Sequence, residues 1–295
     1  MTIQLKEISK RFGKTQALDR VSLQFGEKKI IGLLGNNGAG KSTLLNIITS
    51  RYLADSGELT LDGELMYDND KALNQIYLLS EKNYYPETMT VKDALRWAAI
   101  FYPKFDTALA HRLTERFKLP LKKKISTLST GYESIFKIVM ALSTNAPFLL
   151  LDEPVLGLDA QHRDIFYKLL IERYSENPCT IVISTHLIAE VAGLIERCVI
   201  IKDGRIVKDQ PCEDLLQGGY TVSGPAALLD EYLRGKNVLS VNSLGGLKTA
   251  CLNEQMPSPA ALPLGLEVGK QNLQEYFIHL MNDESFVSKQ SNKEA

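Results

Sequence analysis

The sequence predicts an α/β protein built on a parallel sheet, and three observations carry that reading. Ile30–Leu34, Phe148–Leu151 and Thr180–Ser184 are apolar runs without alternation, as in strands covered on both faces. Stretches of helical texture follow these runs, over Thr43–Ile48, Asp164–Tyr174 and Leu187–Glu196. A glycine-rich loop, Gly35-Asn36-Asn37-Gly38-Ala39-Gly40-Lys41-Ser42-Thr43, joins the first run to its helix. With 295 residues, the chain has room for one large domain or for a domain with an appendage. Apolar content of 44% and charged content of 23% are those of a globular protein.

Taken in order, Ile3–Leu5 and Val21–Phe25 read as strands around a turn at Gly13–Gln16, an antiparallel portion ahead of the loop. Gly57–Gly63 reads as a further short strand and Ile76–Leu79 as another apolar one. Thr90–Phe117 is helical in pattern, with Thr90 as N-cap, Asp93 three residues on, and Pro103 splitting it in two. Helix returns at Gly131–Ser143. Cys198–Lys202 and Arg205–Lys208 flank Asp203-Gly204, a hairpin signal. Beyond about residue 210, glycine and proline punctuate short elements. Ala226–Leu233 and Gln271–Met281 read as helices, the latter with Leu273, Tyr276, Phe277 and Leu280 on one face, and Val238–Val241 and Ala250–Leu252 as strands. From about Asn282 the sequence is polar and reads as a frayed tail.

Composition narrows the partners. The net charge of −1 gives no electrostatic footprint for nucleic acid, and Lys122-Lys123-Lys124 reads as a solvated surface run. Cys179, Cys198, Cys212 and Cys251 are widely spaced with no C-x-x-C, which argues against a zinc site or a disulfide framework and fits a reducing cytosol. The N-terminus has no apolar signal region, and no apolar window reaches the roughly 18 residues of a membrane span.

The loop matches G-x-x-x-x-G-K-[ST]. Glycines let backbone N–H groups curl around an anion, Lys41 reaches the β- and γ-phosphates, and the Ser42 hydroxyl is offered to Mg²⁺. The helix that follows points its positive end at the phosphates. Phe148–Leu151 delivers Asp152 and Glu153, the first beside Mg²⁺ and the second placed to polarise an attacking water. No N-K-x-D guanine-reading stretch occurs.

Leu128-Ser129-Thr130-Gly131-Tyr132, Asp152-Glu153-Pro154, Gly157-Leu158-Asp159 and Ser184-Thr185-His186 follow in that order. From about residue 2 to 210 the chain resembles the ATP-binding-cassette (ABC) ATPases. The resemblance implies a P-loop NTPase fold of ABC type: parallel core sheet, antiparallel β subdomain and a helical insert at about 82–142, all within 1–210. A small α+β appendage over 211–295 completes it. It implies that ATP and Mg²⁺ bind to the phosphate loop, with Phe12 stacked on adenine or else packed within its strand. Ser42, Asp152 and Glu81 would serve the metal, and Lys41, Glu153 and the switch histidine His186 the catalysis. Ser129 and Gly131 would close over nucleotide held by a second ATPase subunit, identical or related, with Asp159 at the seam. Permease subunits in the membrane would be the further partners, placing the chain peripherally on the cytoplasmic face.

Thr130 and Tyr132 stand where the family's signature has Gly and Gln, and Glu81 where a Gln is usual. Together with Phe101–Asp106, these departures resemble ATPases of bacterial multidrug, peptide-antibiotic and bacitracin-type exporters. Two other readings stay open: a soluble cassette acting on ribosomes or DNA, and an ATP-sensing module of weak turnover.

Overall fold

A computed structural model describes residues 1–26, 28–257 and 262–282. The antiparallel portion begins with β1 (Ile3–Phe12) and β2 (Thr15–Phe25), a hairpin closing at Phe12↔Thr15. These strands are longer than sequence alone suggests, because polar residues of β1 and β2 fill the exposed positions. β3 (Ile30–Leu34) is buried throughout and runs through the loop into α1 (Lys41–Ile48). β4 (Ser56–Leu61) pairs with β1, Ile3 facing Leu61, and β5 (Glu64–Leu65) closes that sheet.

After the single turn α2 (Asp70–Leu73) comes β6 (Ile76–Leu79). The helical insert follows. Thr90 caps α3 (Val91–Phe101): its hydroxyl oxygen accepts from the Asp93 N–H at 3.1 Å and donates to Asp93 Oδ2 at 2.6 Å. The chain breaks at Tyr102-Pro103, and Asp106 caps α4 (Thr107–Arg116), accepting from the Leu109 N–H at 2.8 Å. The insert ends in α5 (Thr130–Ser143), capped by Ser129.

β7 (Phe148–Asp152), α6 (Ala160–Glu176) and β8 (Thr180–Thr185) complete the parallel core. α6 starts four residues before the expected Asp164, because Asp159 accepts from the His162 N–H at 2.8 Å and caps it. The helix expected over Leu187–Glu196 is one turn only, α7 (Ile188–Val191). β9 (Arg197–Lys202) and β10 (Arg205–Pro211) flank Asp203-Gly204, both at positive φ as a type I′ turn requires. The central sheet has the order β10-β9-β3-β8-β7-β6, with β3, β8, β7 and β6 parallel. Leu34 faces Thr185, Asp152 faces Ser184 and Leu79 faces Leu151. The carboxyl ends of the four parallel strands therefore share one edge of the sheet, where open α/β folds bind ligands.

The chain divides into two compact units. The first holds Met1–His186 and Val199–Lys208, and the second holds Leu187–Cys198 with the residues from Asp209 on. The second unit contains α8 (Cys212–Gln217), β11 (Tyr220–Pro225), α9 (Ala226–Tyr232), β12 (Val238–Leu244), β13 (Leu247–Leu252), β14 (Glu267–Lys270) and α10 (Leu273–Asn282). Its antiparallel sheet has the order β12-β13-β11-β14 around Tyr220, Val222, Leu229, Ala250, Leu252 and Leu266. Leu273, Phe277 and Leu280 of α10 are buried, as its periodicity predicts, and Tyr276 is half-buried. The expected tail lies outside the described residues beyond Asn282.

The cysteines also depart from expectation. Cys198 and Cys212 form a disulfide with Cα atoms 5.6 Å apart, while Cys179 and Cys251 are free and buried. The two cysteines are 14 residues apart in sequence, and the β9–β10 hairpin folds back to bring them together.

Candidate functional site

The loop after β3 curls because its glycines allow it. Gly38 and Gly40 adopt φ of 82° and 110°, and a Cβ at Gly40 would stand 2.5 Å from the Ala17 carbonyl oxygen. At Gly35 a Cβ would stand 2.5 Å from the Ile201 carbonyl oxygen, so only glycine fits against β9. Gly40 is the N-cap of α1, no side chain caps that helix, and its first turn carries no acid. Its leading amides are thus left for an anion, with the helix dipole in support.

Lys41 is 6% exposed, and its Nζ donates to the carbonyls of Gly35 at 2.7 Å and Asn36 at 3.1 Å. Burial holds its pKa below the ordinary lysine value, against the upward pull of Glu153 and Asp152. Asp152, 3% exposed at the end of β7, accepts from Ser184 Oγ at 2.9 Å and is hydrogen-bonded by Ser42. Burial pushes its carboxyl pKa up, opposed by those two hydrogen bonds.

Glu153 turns the chain at a φ of 46°, its N–H donating to the Ser184 carbonyl at 2.8 Å. Both carboxylate oxygens are held: Thr185 Oγ1 donates to Oε2 at 3.2 Å, and His186 Nδ1 lies 2.9 Å from Oε1. An acid fixed by two neighbours on β8 and its following loop is aimed, a requirement for orienting a water. A cleft of about 460 Å³ gathers Asn37, Gly38, Gly40, Lys41, Ser42, Thr43, Glu81, Glu153 and His186. Thr15, Ala17 and Leu156 also line it, residues with no chemical signature in the sequence.

Phe12, at the end of β1, does not line this cleft. Its ring is 45% exposed, edge-on to Tyr52 at 5.5 Å, with Lys10 Nζ 5.5 Å from its centroid. Ser129, Gly131 and Asp159 also lie outside the cleft, at the N-termini of α5 and α6. The Ser129 side chain accepts from the Tyr132 N–H at 3.4 Å. A Cβ at Gly131 would meet only the Gly157 carbonyl oxygen, at 3.6 Å, so packing within this chain does not require glycine there. Thr130 packs close to Gly157: its Cγ2 lies 2.7 Å from where a Cβ on Gly157 would stand.

The donors fit Mg²⁺ bound together with a triphosphate. A hydroxyl and a buried carboxylate are the one or two protein ligands that Mg²⁺ takes when phosphate and water complete its octahedron. Among the described residues no group of three or more His, Cys, Asp or Glu forms a metal cage. A second cleft, of about 470 Å³, lies at the insert between Tyr77, Tyr84, Tyr85, Trp97, Phe101 and Tyr102.

A parallel sheet that offers a glycine-rich loop, an uncapped helix and an aimed acid at one edge defines a P-loop nucleotide-binding protein. Residues 18–156 match the family described as "ABC transporter". Over 213 residues the chain is 30% identical to the ABC transporter ATP-binding protein YtrB of Bacillus subtilis (strain 168), covering 72% of this chain and 73% of that protein. It is 32% identical over 220 residues to the ribose import ATP-binding protein RbsA of the same organism, covering 70% of this chain but 44% of that longer protein. A solved dimeric bacterial ABC transporter cassette superimposes with a TM-score of 0.62 at 25% identity, over 71% of this chain and 98% of that one. The chain belongs to the ABC transporter family, as an ATP-binding ATPase subunit.

Proposed function

We propose that the first unit hydrolyses ATP in a site shared between two copies of the chain, or between it and a related subunit, and so drives permease subunits in the membrane. The observation that carries this reading is the grip of Thr185 and His186 on Glu153 at the rim of the cleft holding Lys41 and Ser42. In that cleft Lys41 and the loop amides hold the phosphates, while Phe12, exposed at the end of β1 and outside the cleft lining, offers its ring to adenine. Ser42 and Asp152, with Glu81 nearby, would hold Mg²⁺, which when bound neutralises phosphate charge. Glu153 takes the proton of the attacking water, and His186 keeps that carboxylate in line.

Ser129 and Gly131 supply a hydroxyl and amides to nucleotide held by the other chain, and Asp159 lies at the seam. The support is that none of the three lines its own cleft and that Gly131 has no steric need to be glycine. The aromatic cleft at the insert suits an apolar helix of a permease subunit, which would hold the chain on the cytoplasmic face. Among the described residues no helix is long and apolar enough to cross a membrane. We assign these roles to residues 1–210, and an accessory role to 211–295.

Export is the direction proposed, on the resemblance of L-S-T-G-Y and Phe101–Asp106 to exporter ATPases. A transport assay in inverted vesicles with the permease present tests it: ATP-driven uptake supports export, and uptake only into right-side-out vesicles overturns it. Single-turnover ATP hydrolysis with Glu153→Gln tests the assignment of the base. Hydrolysis falls by about 10²-fold or more if the assignment is right, and stays at the wild-type rate if it is wrong.

A further inference from the structure

Helix α5 carries two other side chains that reach toward the nucleotide cleft of their own chain. Lys137 Nζ donates to the Glu81 carbonyl at 2.6 Å, and Ser134 Oγ lies 2.6 Å from the Leu156 carbonyl oxygen. Glu81 and Leu156 both line the cleft. The two ties are unequal. Ser134 has one proton, and its hydroxyl also lies 3.0 Å from the Thr130 carbonyl oxygen. Lys137 brings a charge and three donors, and it pairs with Glu133 at 2.8 Å one turn back on α5. Its side chain is only 13% exposed, so the ammonium is a fixed bracket between the Glu81 loop and the first turn of the helix.

We infer that Lys137 is a positioning residue that ties the Glu81 loop to the orientation of α5, so that nucleotide in one chain's cleft sets how that chain presents Ser129 and Gly131 to the other. The inference rests on the two-chain site proposed above. Its physical content is a rigid link between two places with different tasks. Glu81 lines the cleft with Lys41 and Ser42, so a bound triphosphate would act on its loop, and the carbonyl of that loop is the one Lys137 holds. Lys137 lies two turns along from Ser129, within a helix that moves as a rod. The acceptor at Glu81 is main chain, so the tie does not depend on the acid found at this position, and Glu81→Gln leaves it intact.

The test uses the full-length chain with Lys137→Met, Lys137→Arg and Ser134→Ala. Cleft affinity is read with the fluorescent nucleotide TNP-ATP, and ATP-driven dimerisation by light scattering in a Glu153→Gln background. Thermal melts show that each variant is folded. Lys137→Met should leave TNP-ATP affinity within about twofold and weaken dimerisation about tenfold or more, and with native Glu153 the Hill coefficient of turnover should fall toward one. Lys137→Arg should restore dimerisation to within about threefold, because guanidinium keeps the charge and the donors. Ser134→Ala should weaken dimerisation in the same sense but less, and this smaller effect decides the matter if Lys137→Met does not fold. Dimerisation at the wild-type level in both Lys137→Met and Ser134→Ala overturns the inference while leaving the two-chain site standing. Equal loss of TNP-ATP binding and dimerisation overturns it too, since it marks a prop for the cleft. If the chain with native Lys137 does not dimerise on ATP, the two-chain reading fails and the inference falls with it.

Discussion

Gly131→Ala separates what a glycine does for its own chain from what it does for another. Gly131 lies in the first turn of α5, away from the positive-φ region, and an added Cβ would make one ordinary contact at 3.6 Å with the Gly157 carbonyl oxygen. Gly within a helix costs about 0.5–1 kcal/mol relative to Ala, so the substitution should stabilise the first unit by up to that amount. At roughly 2–4 °C per kcal/mol for a domain of this size, the melting temperature should rise by about 1–4 °C. In the proposed two-chain site, the same methyl would stand where the other chain's phosphate approaches the backbone. Loss of that approach should weaken ATP-driven dimerisation about tenfold or more, equivalent to at least about 1.4 kcal/mol. Melts by circular dichroism and light scattering with Glu153→Gln read the two effects separately. A fall of several degrees would show that the glycine serves the fold. Unchanged dimerisation in a stabilised variant would show that the α5 N-terminus does not face nucleotide.

Three further outcomes follow from the same physical arguments. Asp152→Asn should melt higher than wild type at neutral pH and lose Mg²⁺-dependent ATP turnover. The raised Asp152 pKa means that stability from this carboxyl is full below its unfolded value and is lost as pH rises through the folded one. The gain should therefore shrink as pH falls into the ordinary carboxylate range, and a gain independent of pH would contradict the assignment. Phe12→Ala should weaken ATP binding by about 5- to 150-fold, as loss of a base–aromatic stack of about 1–3 kcal/mol implies, while Phe12→Trp retains affinity. Unaltered affinity in Phe12→Ala would return that ring to strand packing. Thiol titration of unreduced, unfolded protein should find two thiols, Cys179 and Cys251, and four after reduction. Closing a loop of 14 residues should contribute about 3 kcal/mol, read as a lower melting temperature under reductant.

What was legible in the sequence is local. β3, β6, β7 and β8 announce themselves because buried parallel strands are uninterrupted apolar runs. The break between α3 and α4 follows from Pro103, and the starts of α3 and α5 from Thr90 and Ser129. What was not legible depends on partners distant in sequence. β11 is held by β13 on one side and β14 on the other, β14 pairs with β11, and Gly224-Pro225 reads as punctuation although it ends a strand. α6 begins four residues before its apolar pattern does, because Asp159 caps it. In the cleft, the charged residues and glycines carry a signature legible in sequence, whereas Thr15, Ala17 and Leu156 contribute position alone. The Cys198–Cys212 bridge has no spacing motif, because the β9–β10 hairpin creates the proximity.

A mixing experiment tests the shared site most directly. One preparation carries Lys41→Ala, the other Ser129→Arg, and each alone should be inactive because every dimer lacks a lysine or a signature serine at both sites. Mixed dimers, if the chains pair head to tail, contain one site with native Lys41 facing native Ser129. ATP turnover should therefore reappear on mixing and rise with the share of mixed dimer. A mixture that stays inactive while native mass spectrometry shows mixed dimers would contradict the shared site.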